Sequence, residues 1–106
     1  MRYSYDPRQV QWYMTSGIET MMHPFHRQKC IELIEKLEAA PVENDYLQVF
    51  EFSISEGITT VRHFQEQPSY ENSITYEIPS DVEPFEEKVY IIHDCDHVTI
   101  LLASEY

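Results

Sequence analysis

Two adjoining stretches decide the fold: FHRQKCIELIEKLEAA at residues 25–40 and DYLQVFEFSIS at residues 45–55. In the first, apolar side chains recur every three or four residues, which is the period of a helix with one buried face. In the second, apolar side chains fall on alternate or near-alternate positions, which is typical of a strand. The change of period after Pro41 therefore predicts a helix that is followed by β-structure.

The start and the end of the helix are also marked in the sequence. His23-Pro24 favours a helix start, because a proline in the first helical turn gives up no hydrogen bond that the helix needs. Ala40-Pro41 favours its end, because the residue before a proline is driven away from helical geometry. The apolar stripe between them consists of Cys30, Leu33, Ile34 and Leu37, with Phe25 or His26 one turn earlier.

Strand patterns lie on both sides of the helix. QVQWYMTSGIE, at residues 9–19, predicts a short strand that ends in a turn or bulge at Gly17. The segments after DYLQVFEFSIS that have strand character are ITTVRHFQ, SITYEI, KVYIIH and HVTILLA. We therefore predict a single α+β domain over residues 1–106, with one amphipathic helix packed on a mainly antiparallel β-sheet of about five to six strands. We expect residues 1–8 to form a loosely ordered N-terminus.

The net charge of −12 comes from the C-terminal part of the chain. Residues 41–106 hold fourteen acidic side chains and two basic ones, Arg62 and Lys88. Such a surface repels the phosphate backbone of nucleic acids and the anionic surface of membranes, so we expect neither as a direct partner. A basic partner protein is electrostatically favoured, although an acidic surface also serves solubility alone.

The compartment is predicted from what the sequence lacks. No run of about 18 apolar residues is present to span a membrane, and the first residues have no apolar segment typical of a secretory signal. Two cysteines, Cys30 and Cys95, are too few for a disulfide framework. The sequence therefore predicts a cytoplasmic protein with reduced thiols and no cofactor.

The segment HDCDH, at residues 93–97, is the most site-like stretch in the chain. A metal site would use His93, Cys95 and His97, with the two histidines facing each other across a hairpin. Five contiguous residues cannot all turn toward one ion, however, and no second His or Cys pair completes a tetrahedral site. A three-residue loop, Asp94–Asp96, closed by the histidines explains the spacing without metal. We therefore expect an ordinary turn.

The sequence provides no convincing nucleophile. The carboxylates that flank Cys95 oppose the lowered pKa that a reactive thiol needs. Cys30 has His26 one helical turn before it, but it lies on the apolar stripe, which is typical of a small buried side chain. His63 is interpreted as a surface histidine or as a hydrogen-bonded histidine of the core. No catalytic residue is predicted.

Aromatic side chains are the first candidates for an interaction surface. Eight Tyr and five Phe are mostly expected in the core or on half-buried strands, and some are expected at a binding face. Our candidate interaction residues are Trp12, Tyr13, Tyr46 and Tyr70, together with Asp94, Asp96 and His97 of the 93–97 turn.

Three segments, WYMTSGIE, DYLQVFEFS and DHVTILLASEY, together resemble a small bacterial family called domain of unknown function 960, first described from staphylococci. The resemblance extends from about Tyr13 to Tyr106. It implies a single-domain cytoplasmic protein with no assigned reaction, so it supplies no catalytic residues. Asp94, Asp96 and His97 match the family's turn, whereas Cys95 stands where the family has glycine. A metal site that needs His93 or Cys95 would then be particular to this member.

These observations favour a non-enzymatic, acidic protein-interaction module, whose sheet face or edge binds another protein or a second copy as a homodimer. One alternative is a metal-binding protein or metal-dependent enzyme that uses the 93–97 turn. A further alternative is a DNA mimic, which is an acidic inhibitor that occupies the basic groove of a DNA-binding protein. The DNA mimic requires carboxylates in rows at phosphate-like spacing on one face.

Overall fold

A computed structural model of the chain describes residues 11–94 and 96–106. Its elements in chain order are β1 Gln11–Met14, α1 Ser16–Met21, α2 Pro24–Ala39, β2 Leu47–Ser55, β3 Ile58–Gln65, β4 Tyr70–Glu77, β5 Lys88–Asp94, β6 His97–Leu102 and a 3-10 turn Ala103–Glu105. The predicted α+β class is confirmed, because one main helix accompanies a six-stranded sheet. Residues 1–8, predicted to be loosely held, and Cys95 lie outside the described residues.

The strands are arranged in the order β1-β6-β5-β2-β3-β4. β1 runs parallel to β6, and every other neighbouring pair is antiparallel. β1 and β4 therefore form the two edges of the sheet. Between β4 and β5 the chain returns from an edge to the centre, and on this path Val82 and Phe85 are buried.

One face of the sheet, here called the covered face, carries the core. Its side chains include Phe50, Val61, Val89 and Ile100, which form one cluster with buried residues of both helices. The predicted helix stripe is confirmed, since Cys30, Leu33, Ile34 and Leu37 are all buried. The opposite face, here called the open face, is not packed against either helix in the described residues.

His26, rather than Phe25, continues the stripe of α2 and is fully buried. Its Nδ1 lies 2.6 Å from the Tyr76 hydroxyl, and its Nε2 lies 2.8 Å from the backbone oxygen of Glu83. A carbonyl oxygen only accepts, so Nε2 carries the proton and Nδ1 accepts from the tyrosine. The ring stacks on Phe85. His26 thus ties the helix to β4 and to the segment that leads into β5.

The predicted turn at Gly17 is wrong, because Gly17 lies in the first turn of α1. The hydroxyl of Thr15 accepts a hydrogen bond from the N–H of Ile18, which is ordinary N-terminal capping. The Glu105 carboxylate accepts from the Gly17 N–H at 3.2 Å and from the Thr15 hydroxyl at 2.6 Å. The bond from Thr15, followed by one from the Leu102 N–H and that from Gly17, lowers the pKa of Glu105. This short helix depends on a residue 88 positions away, which local sequence patterns do not indicate.

Two further observations concern membrane-spanning helices and thiol reactivity. Within residues 11–94 and 96–106, no helix has both the length and the apolar character needed to cross a membrane. Cys30 is completely buried, and burial raises the pKa of its thiol. A thiol held in its protonated form is a poor nucleophile, so Cys30 acts as a small core side chain.

Candidate interaction surface

The open face carries two adjacent rows of mostly apolar side chains that run across the strands. Strand pairing places the first row in the order Tyr13, Thr99, Ile92 and Leu47. The second row, one step along the strands, is Leu101, Tyr90, Val49 and Phe64. We call these eight residues the apolar band. Tyr13 is 54% exposed, whereas Val49 is 6% exposed and lies beneath its neighbours.

A charged row borders the apolar band on one side. Arg62 forms ion pairs with Glu51 at 2.7 Å and with Glu71 at 2.9 Å, and Lys88 lies 3.5 Å from Glu51. Glu71 is the first cause of the raised pKa of Arg62, and Arg62 in turn lowers the pKa of Glu71. The guanidinium lies over the ring of Phe64 at 4.2 Å. The charges on this side therefore balance one another.

The 93–97 turn borders the other side of the band. Asp94 pairs with His97 and His93 pairs with Val98, so the turn holds two residues instead of the predicted three. The extra pair moves His97 onto the open face, while His93 is buried on the covered face. The expected arrangement, with both histidines facing each other, is therefore wrong.

The surroundings of His97 are those of a surface cluster. Its ring lies 3.4 Å from an Asp96 oxygen and 3.9 Å from an Asp94 oxygen, and it meets the Tyr13 ring edge-on. Cys95, the third proposed ligand, lies outside the described residues. Among the residues that the structure describes, no three His, Cys, Asp or Glu side chains are placed to hold a metal ion.

A pocket of about 270 Å³ lies where β2 begins and β3 ends. We call it the Tyr46 pocket. Leu47 and Val49 line it and also belong to the apolar band, so the two features are continuous. The remaining lining residues are Asp45, Tyr46, Gln65, Glu66 and Gln67.

Behind this pocket is a buried polar cluster of Gln48, His63 and Gln65, which are all at most 3% exposed. The Gln48 amide nitrogen donates to the Gln65 side-chain oxygen at 2.7 Å and to the backbone oxygen of Asp45 at 2.9 Å. The Gln65 amide nitrogen donates to the backbone oxygens of Glu43 and Pro68. The cluster therefore fixes the backbone on both sides of the pocket.

His63 is the innermost member of the cluster. Because the Gln48 nitrogen donates elsewhere, the Gln48 oxygen accepts from His63 Nε2–H at 2.7 Å. His63 Nδ1 is buried without a hydrogen-bond partner among the described residues. The ring stacks on Phe50 with centroids 4.4 Å apart. Burial lowers the pKa of His63 to about 4. His63 is therefore a neutral core histidine, one of the two interpretations that the sequence allowed.

The four aromatic candidates are divided between the two faces. Tyr13 and Tyr46 are 54% and 46% exposed and border the apolar band and its pocket. Trp12 packs against the core, and Tyr70 contacts His63 edge-on. Asp94, Asp96 and His97 lie together at one end of the open face. A binding role for these seven residues stays a prediction.

The band residues Ile92, Tyr90 and Phe64 were not among the candidates. The available signal was the KVYIIH segment, which is apolar on both faces of its strand. We interpreted this pattern only as strand character. It also indicates an outward-facing apolar row when helices cover one face of a sheet.

The chain was compared with protein families, curated proteins and solved structures. The family model described as "Staphylococcal protein of unknown function (DUF960)" matches residues 11–105. A crystal structure titled as a protein of unknown function from Enterococcus faecalis is similar, with a TM-score of 0.78 and 20% identity, covering 100% of this chain and 98% of the other. At this identity the likeness shows a shared fold. None of the curated proteins matches.

Proposed function

The chain belongs to DUF960, a family of staphylococcal proteins of unknown function, and we propose that it is a non-enzymatic, acidic protein-interaction module of the cytoplasm. The observation that supports this proposal is the apolar band on the open face. Apolar side chains on a sheet face are expected to pack against another layer, and within the described residues both helices lie on the opposite side.

The band crosses five strands about 4.8 Å apart, and its eight positions, about 7 Å apart along each strand, occupy a footprint of about 270 Å² on the sheet. The exposed apolar area is smaller than this footprint, because Val49 and Leu101 are buried and the Tyr106 ring packs edge-on against Tyr90. The largest apolar patch on a typical monomer is about 300–600 Å² and is often functional. One partner in a stable complex contributes about 800 Å², so the charged rows on both sides would share the contact.

The arrangement of the open face also fits a protein interface. Interfaces have an apolar centre enriched in aromatic residues and a polar rim. Tyr90 lies in the centre and Tyr13 at the edge strand, while Arg62 and Glu51 form one rim and Asp94 lies at the other.

The test combines capture with matched variants. Tagged protein is incubated with a staphylococcal lysate, and the retained proteins are identified by mass spectrometry, purified and titrated against the chain. Tyr13→Ala removes an exposed ring of the band, and Thr75→Ala, on the polar part of the same face, is the control. We expect one protein to bind the unaltered chain and the control but to bind Tyr13→Ala about tenfold more weakly.

Three results would count against this function or redirect it. A chain that retains nothing and is strictly monomeric by light scattering contradicts it. Equal binding by both variants places the interface elsewhere. A retained DNA-binding protein that DNA displaces from the chain would favour the DNA-mimic alternative.

A further inference from the structure

The Tyr46 pocket has the chemistry of a site for one cationic side chain. Its lining combines the apolar residues Leu47 and Val49, the exposed Tyr46, and the acidic residues Asp45 and Glu66. The methylene stem of a lysine or arginine packs on apolar side chains while its charged end stays at the rim. A tyrosine ring and carboxylates are the groups that such a charged end contacts favourably.

The volume of the pocket agrees with a single side chain. Sites for whole small-molecule ligands usually enclose about 300–1,000 Å³. The Tyr46 pocket, at about 270 Å³, lies at the lower limit of this range and opens beside the apolar band. An anchor residue in the pocket would therefore belong to a chain that also lies across the band.

The pocket is held in shape before anything binds. The Asp45 carboxylate accepts the N–H groups of Tyr46 at 2.8 Å and of Gln67 at 3.1 Å. The Asp45 N–H donates to the Gln65 side-chain oxygen at 2.9 Å. Backbone N–H groups therefore hold the Asp45 carboxylate in place. The Asp45 backbone is held in turn by Gln65 of the buried polar cluster. A preformed pocket costs little ordering entropy on binding.

The negative charge of residues 41–106 favours a basic partner. Residues 41–106 carry fourteen acidic side chains, and their two basic ones, Arg62 and Lys88, are both ion-paired with Glu51. A field of this sign speeds the approach of cations and disfavours other acidic proteins. A second copy of this chain would bring a further charge of −12 to the interface.

From these observations we infer that the Tyr46 pocket receives an arginine or lysine of a basic segment, supplied by the partner protein whose apolar residues cover the apolar band. This inference rests on the proposed function and specifies the partner's chemistry: apolar residues for the band and one cation for the pocket.

The experiment uses a defined probe in place of the unknown partner. A fluorescein-labelled peptide, Gly-Leu-Arg-Leu-Arg-Leu-Gly, is titrated against the full chain by fluorescence anisotropy. In the control peptide, citrulline replaces arginine, because citrulline keeps the shape and loses the charge. We expect the arginine peptide to bind about tenfold more tightly, and raised salt to reduce the difference.

Variants of the chain locate the binding. Glu66→Gln removes a carboxylate of the pocket, and Glu77→Gln removes one at the opposite end of the sheet. Tyr46→Leu keeps an apolar wall and removes the ring. We expect Glu66→Gln and Tyr46→Leu to weaken binding about three- to tenfold, and Glu77→Gln to leave it unchanged. Each variant is first checked for an unchanged melting temperature.

The outcomes separate this inference from the proposed function. Equal binding of both peptides, or equal effects of Glu66→Gln and Glu77→Gln, overturns the inference. Another outcome is a captured partner that binds Glu66→Gln as well as the unaltered chain but fails to bind Tyr13→Ala. That result supports the proposed function and overturns the inference. Self-association that Tyr13→Ala abolishes, with no peptide binding, makes a second copy the occupant instead.

Discussion

His63 makes the stability of the protein depend on pH in a way that can be calculated. Its pKa is lowered from 6.5 to about 4 because the ring is buried. In the unfolded chain the imidazole binds a proton below about pH 6.5, but the folded protein resists the same proton until about pH 4. The stabilising contribution is therefore complete above pH 6.5 and is lost as the pH falls from 6.5 toward 4.

The size of the effect follows from the two pKa values. At pH 5, protonation of His63 stabilises the unfolded state by about 2 kcal/mol relative to the folded state. Below pH 4 the resulting loss in the free energy of unfolding levels off near about 3 kcal/mol. A change of about 2 kcal/mol moves a urea midpoint by about 1 M for a protein of this size.

The assay is urea unfolding, followed by circular dichroism, at several pH values between 7 and 5. His63→Gln keeps an N–H near the Gln48 oxygen and removes the titrating group. His63→Phe preserves the stack on Phe50 and serves as a second variant. We expect the free energy of unfolding of the wild type, relative to that of either variant, to fall by about 2 kcal/mol on going from pH 7 to 5.

Parallel pH profiles for the three proteins would refute this reasoning. Such a result would mean that His63 is protonated in the folded state or is reached by water. The other histidines and the carboxylates are common to all three proteins, so they cancel in the comparison.

Three other perturbations have definite expected outcomes. Gly17→Ala places a Cβ 2.7 Å from Glu105 carboxylate atoms, so it should lower the melting temperature in the wild type but be neutral or stabilising in a Glu105→Ala background. His26→Leu leaves the partly buried Tyr76 hydroxyl and Glu83 backbone oxygen without their hydrogen bonds to the imidazole, and it should cost about 1–3 kcal/mol in urea unfolding, whereas an unchanged midpoint would contradict the hydrogen bonds described. Added zinc should leave the melting temperature unchanged if residues 93–97 form an ordinary turn, and a rise that His97→Ala removes would favour the metal hypothesis.

The helix and the strand segments were predicted correctly because their signals are local. The stripe from Cys30 to Leu37 shows the period of α2 directly, and the alternation in β3 matches its buried positions. The strand order was not predictable in the same way. β1 pairs in parallel with β6, more than eighty positions away, and nothing in either segment specifies the other.

The 93–97 turn shows how a small error in register changes a site. Moving the closing pair from His93 and His97 to Asp94 and His97 places the two histidines on opposite faces of the sheet. Side chains alternate along a strand, so a shift of one residue inverts every assignment. The sequence placed the hairpin correctly, but not the length of its loop.

The buried polar cluster was missed for a different reason. Gln48 and Gln65 belong to strands whose polar residues are expected to face water. Each can be buried because other side chains of the cluster form hydrogen bonds with it. Their mutual distances depend on the pairing of β2 with β3. Single-residue preferences therefore predict exposure at these positions, while the folded protein buries them.

The cluster connects the acid sensitivity of the fold with the proposed site. Apolar side chains of similar volume at Gln48, His63 and Gln65 would often be as stable or more stable, and they would remove the pH dependence. They would also leave the backbone oxygens of Glu43 and Pro68 without the donor that holds them. Those oxygens belong to the segments on either side of the Tyr46 pocket. The buried polar cluster is therefore best explained as the support of a rigid pocket. Its member His63 lowers the stability of the folded protein in acid.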